Sequence, residues 1–133
     1  MEYRFEIPGT LPTLNDFLSS SQHRNYSNKI KRETQDRIIS CLDDAPKFNS
    51  SVWVYFIWIR PDMRCDKDNV SFAKKFILDA LQEAGVIKRD SWKMATPYTA
   101  GYKVNKLNPR TLVYITDVEP AFSIMKGISD AFN

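Results

Sequence analysis

A chain of 133 residues with 43% apolar and 13% aromatic content can bury one core and has too little for two, which sets a single domain over 1–133. A net charge of +3 and a pI of 8.9 permit nucleic-acid binding without demanding it, so the distribution of charge has to carry that argument. One histidine, His23, and two cysteines, Cys41 and Cys65, exclude His-based nuclease motifs, multi-histidine zinc sites and Cys-x-x-Cys clusters, and leave carboxylates to do any catalysis. With no secretory leader pattern and no bilayer-length apolar run, the chain reads as a reduced, soluble, cytoplasmic protein with no membrane partner.

In chain order, residues 3–7 alternate Tyr3, Phe5 and Ile7 against Arg4 and Glu6, the period of a half-buried strand that Pro8-Gly9 stops. Residues 11–25 read as loop with a short helical turn. Residues 25–42 predict a polar helix with a sparse apolar stripe of Ile30, Ile38, Ile39 and Leu42. Arg24, Lys29, Lys31, Arg32 and Arg37 are its basic positions, concentrated in the first half, as either a solvated face or a phosphate-contacting one. Residues 51–60 carry β-branched and aromatic side chains on both faces, the pattern of a central strand covered on each side. Val70, Ala73, Phe76, Ile77, Ala80, Leu81 and Ala84 predict one continuous helix over about 69–84, opened by Asp68 or Asn69 and closed by Gly85. Short extended pieces at 86–87 and 92–104, a turn at 105–110, a strand at 111–116 and a short helix within 120–132 complete the chain. The fold class is α+β: a small mixed domain whose central sheet is packed by two main helices.

The chemistry concentrates in residues 64–90. Asp66 and Asp68 stand two apart, so an extended entry to the helix would point both to one side and let them share a cation. The helix N-terminus favours the ionised form of Asp68, although an Asp-x-Asp before a helix is equally a capping pattern. A calcium-binding EF-hand loop starting at Asp66 would need Gly at its sixth position and Glu at its twelfth, which are Ser71 and Ile77. Asp90 can join the pair if the chain reverses at Gly85, since a helix of roughly 24 Å is followed by an extended return of roughly 17 Å. Hard oxygen ligands suit Mg²⁺, and Arg64, Lys67, Lys74, Lys75, Lys88 and Arg89 suit a polyanion beside it, so the pattern points to a metal-dependent nuclease. A helical wheel places Asp68, Phe72, Lys75 and Asp79 in one outward sector. There Lys75 either offsets charge on a phosphate or pairs with Asp79, and Phe72 either stacks on a base or packs against the basic helix or a second subunit.

The segments Arg64-Cys65-Asp66-Lys67-Asp68-Asn69, Asp79-Ala80-Leu81, Ala84-Gly85 and Arg89-Asp90 closely resemble the core of the RusA family of Holliday junction resolvases, which includes phage-encoded members. The resemblance covers about residues 60–93 well and the region from Leu14-Asn15 through the basic helix more loosely. It implies a homodimer that binds four-way DNA junctions and cuts two strands symmetrically with Mg²⁺, Mn²⁺ being a substitute, in a bacterial cytoplasm from a host or prophage gene. It also implies Asp66, Asp68 and Asp90 as metal ligands, with Lys75 or the adjacent Lys74 as the catalytic lysine. Arg24, Lys29, Lys31, Arg32, Arg64, Lys67, Lys74, Lys88 and Arg89 are the candidate DNA contacts. The alternative is a protein that binds junctions or single strands without cutting.

Overall fold

The computed structural model describes residues 1–20, 24–89, 92–121 and 131, with the side chain of Arg24 outside that set. Its elements run β1 (Glu2–Pro8), α1 (Leu14–Ser20), α2 (Arg24–Ser40), β2 (Val52–Arg60), α3 (Lys67–Ser71), α4 (Lys74–Glu83), β3 (Ala95–Val104) and β4 (Arg110–Thr116). The sheet order is β1-β4-β2-β3, with β2 and β3 parallel and the other two pairings antiparallel. This is a small α+β fold with a mixed four-stranded sheet. The parallel pair needs a crossover, and α3 and α4 supply it. Because β4 lies between β1 and β2, the 105–109 connection passes over the end of β2, where the Asn105 amide donates to the Arg60 carbonyl at 2.8 Å.

One face of the sheet makes the core. Phe5, Ile7, Val54, Phe56, Trp58, Val113 and Ile115 alternate inward and meet Ile38, Val70, Phe76, Ile77 and Leu81 from the helices. The indole of Trp58 stacks on Phe56 and donates to Thr99 Oγ1 at 3.0 Å, so its one polar atom is satisfied. The expectation that β2 is covered on both faces is corrected: Val52, Val54, Phe56 and Trp58 are buried, whereas Trp53, Tyr55 and Ile57 are only half-buried. Tyr55, Ile57, Ala100, Leu112 and Tyr114 line an open depression of about 550 Å³ on that second face. An aromatic strand looks double-sided from its sequence because tyrosines covering one another, as Tyr55 does with Tyr98 and Tyr114, suit β structure without a helix above them.

The short helical turn expected within residues 11–25 is α1, which Thr13 and Asp16 open reciprocally: Thr13 Oγ1 accepts from the Asp16 amide at 3.2 Å and Asp16 Oδ2 from the Thr13 amide at 2.9 Å. Two other expectations change. Residues 86–87 are a buried reversal rather than extended. Gly85, at φ +76°, lets the Val86 amide bond the Leu81 carbonyl at 2.9 Å and the Gly85 amide bond Gln82 at 3.0 Å, the paired bonds of a Schellman motif. The region 92–104 holds one ten-residue strand, β3, with Ala100 as an extra residue at a bulge opposite Phe56 and Ile57. The expected helix over 120–132 falls almost wholly outside the described residues.

Candidate functional site

β2 ends at Arg60, and Pro61, which has no N–H to continue a ladder, turns the chain off the sheet. In the loop that follows, Asp62 Oδ1 accepts from the Arg64 amide at 3.0 Å and Asp62 Oδ2 lies 3.8 Å from the Arg64 guanidinium. Asp66 then takes an extended conformation, φ −70° and ψ 164°, and its Oδ1 accepts from the Asn69 amide at 2.9 Å. Asp66, rather than Asp68 or Asn69, is therefore the N-cap, and Asp68 lies within the first turn of α3. The extended Asp66–Asp68 segment assumed from the sequence does not form, because helical geometry begins at Lys67. Both carboxylates are exposed at the same helix end. Asp66 Oδ2 takes no part in the cap.

α3 is short and is held by its neighbours. Val70 is buried in the core, the Tyr102 hydroxyl donates to the Lys67 carbonyl at 3.3 Å, and the Lys67 ammonium lies 5.3 Å from the Tyr102 ring centre. Tyr102 stands near the carboxyl end of β3 and Arg60 at that of β2, so the acidic turn sits at the carboxyl edge of the parallel pair. Crossover folds present functional loops at that edge.

The continuous helix expected over 69–84 is divided at Phe72 and Ala73 into α3 and α4. The division changes the helical phase, and the outward sector of Asp68, Phe72, Lys75 and Asp79 is corrected with it. Phe72 turns inward to pack on Phe17 of α1 and Phe76 of α4, with ring centres 5.7 and 5.8 Å apart. Asp79 is half-buried, while Lys74 and Lys75 stand exposed in the first turn of α4, which holds no acid. No ion pair joins Lys75 to Asp79 among those between described residues.

Asp90 lies outside the described residues. The reversal that its approach requires is present at Gly85, and Lys88 and Arg89 beyond it are exposed. Among the described residues no group of three His, Cys, Asp or Glu side chains converges as a metal cluster. Asp66 and Asp68 are both exposed at the N-terminal end of α3, one as its cap and the other in its first turn.

The basic helix divides its charges between structure and surface. Arg32 binds Asp36 at 2.6 Å and Glu83 at 2.8 Å, tying α2 to α4, and these hydrogen bonds, Glu83 first, hold its pKa above the ordinary arginine value. Lys29 lies 3.8 Å from Glu33, and Lys31 is exposed. Arg37 donates to the carbonyls of Pro8 and Thr10 and so braces the turn at Gly9, whose φ is +79°. Sequence reasoning missed Arg60. Arg60 is half-buried and its Nη2 meets Cys65 Sγ at 3.5 Å, with no carboxylate paired to it among the described residues. The available signal was its place at the end of the strand that feeds the acidic loop. No helix among the described residues is long and apolar enough to cross a membrane. No family model matches the chain, and no curated protein matches it.

Proposed function

We propose that this chain is a Mg²⁺-dependent endodeoxyribonuclease that resolves four-way DNA junctions by paired, symmetric phosphodiester cleavage in recombination or repair. The observation that carries the reading is that Asp66 and Asp68 stand exposed at the N-terminal end of α3, with Arg64 and Lys67 exposed next to them in the chain and Lys74 and Lys75 exposed in the first turn of α4. The donor set suits the ion, since Mg²⁺ is commonly held by one or two carboxylates and keeps several waters. Asp66 Oδ2 and the Asp68 carboxylate would hold it, with Asp90 as a third ligand. A bound Mg²⁺ supplies Lewis-acid polarisation of a phosphoryl oxygen and a more acidic water.

The chain's own part is positioning and charge. The cap fixes the Asp66 rotamer, the Tyr102 contact fixes the start of α3, and Lys75 or Lys74 offsets negative charge developing on the phosphate. Resolution needs two nicks related by a two-fold axis, so the reading includes a C2 dimer with two separated acidic loops. The half-exposed apolar side chains around Tyr55 and Ile57, together with Ile124, Met125 and Phe132 outside the described residues, are the candidate contacts. Sedimentation with and without junction DNA that finds only the 15.5 kDa monomer counts against resolution.

A second reading, a DNA-binding protein that does not cut, draws on the engagement of Asp66 Oδ1 in the cap. Asp68→Asn separates the two. In the nuclease reading it abolishes cleavage and leaves junction binding intact or tighter, because a ligand and a negative charge facing phosphate are both removed. A wild-type protein that binds junctions and cuts none with Mg²⁺ or Mn²⁺ favours the second.

A further inference from the structure

Beside the acidic turn, two loops at the same edge of the sheet carry large apolar side chains fully into solvent. Met63, in the loop after β2, is 86% exposed, and Leu107, in the β3–β4 connection, is 95% exposed. Single exposed apolar residues are ordinary on a protein surface. These two differ in their setting. The connection crosses the end of β2 and is joined to it by the Asn105–Arg60 backbone bond, which makes the two loops neighbours. It is also held in shape from within: Asn105 Oδ1 accepts from the amides of Leu107 and Asn108 at 3.2 and 3.1 Å. Arg110 donates to the Asn108 carbonyl at 3.0 Å, and the Gly9 amide donates to the Pro109 carbonyl at 2.8 Å. Leu107 is thus presented to solvent by a braced turn. Arg64, Lys103 and Lys106 around it are exposed, and Asp62 is the acid that pairs with this group, at 3.8 Å from Arg64.

Apolar tips on a fixed backbone among cations are the chemistry of proteins that press a side chain against exposed base faces while holding the adjoining phosphates. We infer that the 61–65 and 105–109 loops form a nucleic-acid-contacting rim, with Leu107 and Met63 set against bases unstacked at a branch point and Lys103, Lys106 and Arg64 on the flanking phosphates. The inference rests on the nucleic-acid substrate proposed above and adds how a branch is told from a continuous duplex. A duplex offers phosphates but no open base face, so the cations bind both forms and the apolar tips only the branch.

The test measures binding without divalent metal, so that it does not depend on cleavage. A synthetic four-way junction carrying 2-aminopurine at the branch point and a linear duplex of equal length are titrated with wild type, Met63→Ala/Leu107→Ala and Lys103→Ala/Lys106→Ala. Thermal melting checks folding, which the exposed positions should leave unchanged. The apolar double variant should lose roughly tenfold in junction affinity and most of the 2-aminopurine fluorescence rise, with duplex affinity unchanged. The lysine double variant should weaken both forms and lower the slope of log affinity against log salt by about two. An apolar variant that binds the junction as tightly as wild type with the same fluorescence rise overturns the rim and leaves the nuclease reading standing. A wild-type protein that binds neither DNA overturns both.

Discussion

Asp66 caps α3 and is proposed as a metal ligand, and substitutions separate the two roles. The cap is one hydrogen bond, Asp66 Oδ1 to the Asn69 amide at 2.9 Å, at the start of a five-residue helix. Asn and Ser supply an oxygen acceptor of similar reach, whereas Ala supplies none, so Asp66→Ala should cost about 1 kcal/mol and Asp66→Asn only a few tenths. For a domain of this size the alanine loss corresponds to a fall in Tm of roughly 2–5 °C. Mg²⁺ at ten times its dissociation constant should stabilise wild type by about 1.4 kcal/mol and neither variant, since only a group that binds the folded protein shifts its stability. Paired melts with Mg²⁺ and with chelator, run beside a junction-cleavage assay, read both roles. Metal-free stability should order as wild type, Asn, Ala, and cleavage should vanish in both variants. An Asn variant that cuts like wild type removes Asp66 from the ligand set. An Ala variant as stable as the Asn variant refutes the capping argument.

Gly85→Ala should destabilise by about 1 kcal/mol, because φ is +76° there but a new Cβ meets nothing within 4 Å, leaving a purely conformational cost. Gly9→Ala should cost more in the same denaturant melts, since its Cβ would also lie 2.9 Å from Arg37 Nη2 and push the guanidinium off the Pro8 and Thr10 carbonyls. The hydrogen bond to Glu2, and then burial, raises the Tyr114 pKa above the ordinary tyrosine value. Its contribution to stability is therefore present below that ordinary value and lost as pH rises through the folded pKa, and Glu2→Gln should bring the tyrosinate absorbance step of Tyr114 to lower pH. Glu83→Gln should lower stability only slightly, and less in high salt, because the Arg32–Glu83 pair is about half exposed and screened by solvent. A loss unaffected by salt would contradict that reading.

The sequence was most informative where one local rule acted alone. Alternation located β1 and β4, the apolar density of 52–60 located an interior strand, and Gly85 after an apolar stripe marked the end of α4. It misled where two rules competed. The stripe from Val70 to Ala84 runs through Phe72 without a break, and only the pull of Phe17 and Phe76 on that ring reveals that the helix divides. The aromatic faces of β2 satisfy β propensity equally whether or not a helix covers them, so coverage was not readable from residue type. Arg37 and Arg32 look like solvated charges on a helix, and their partners, the Pro8 and Thr10 carbonyls and Glu83, are distant in sequence. At the candidate site, residue types pointed to the carboxylates and cations. Whether Asp66 or Asp68 caps the helix depended on where helical dihedrals begin, which composition does not encode.

Cleavage of branched DNA by a divalent ion held at the carboxylates of α3, as proposed, can be tested in a single incubation. Purified protein is mixed with a four-way junction labelled in turn on each strand, with Mg²⁺ and with chelator. Paired incisions at symmetric positions on opposing strands should appear with Mg²⁺ and be absent with chelator. Intact junction at micromolar protein with Mg²⁺ or Mn²⁺, or cutting that persists in chelator, would contradict it.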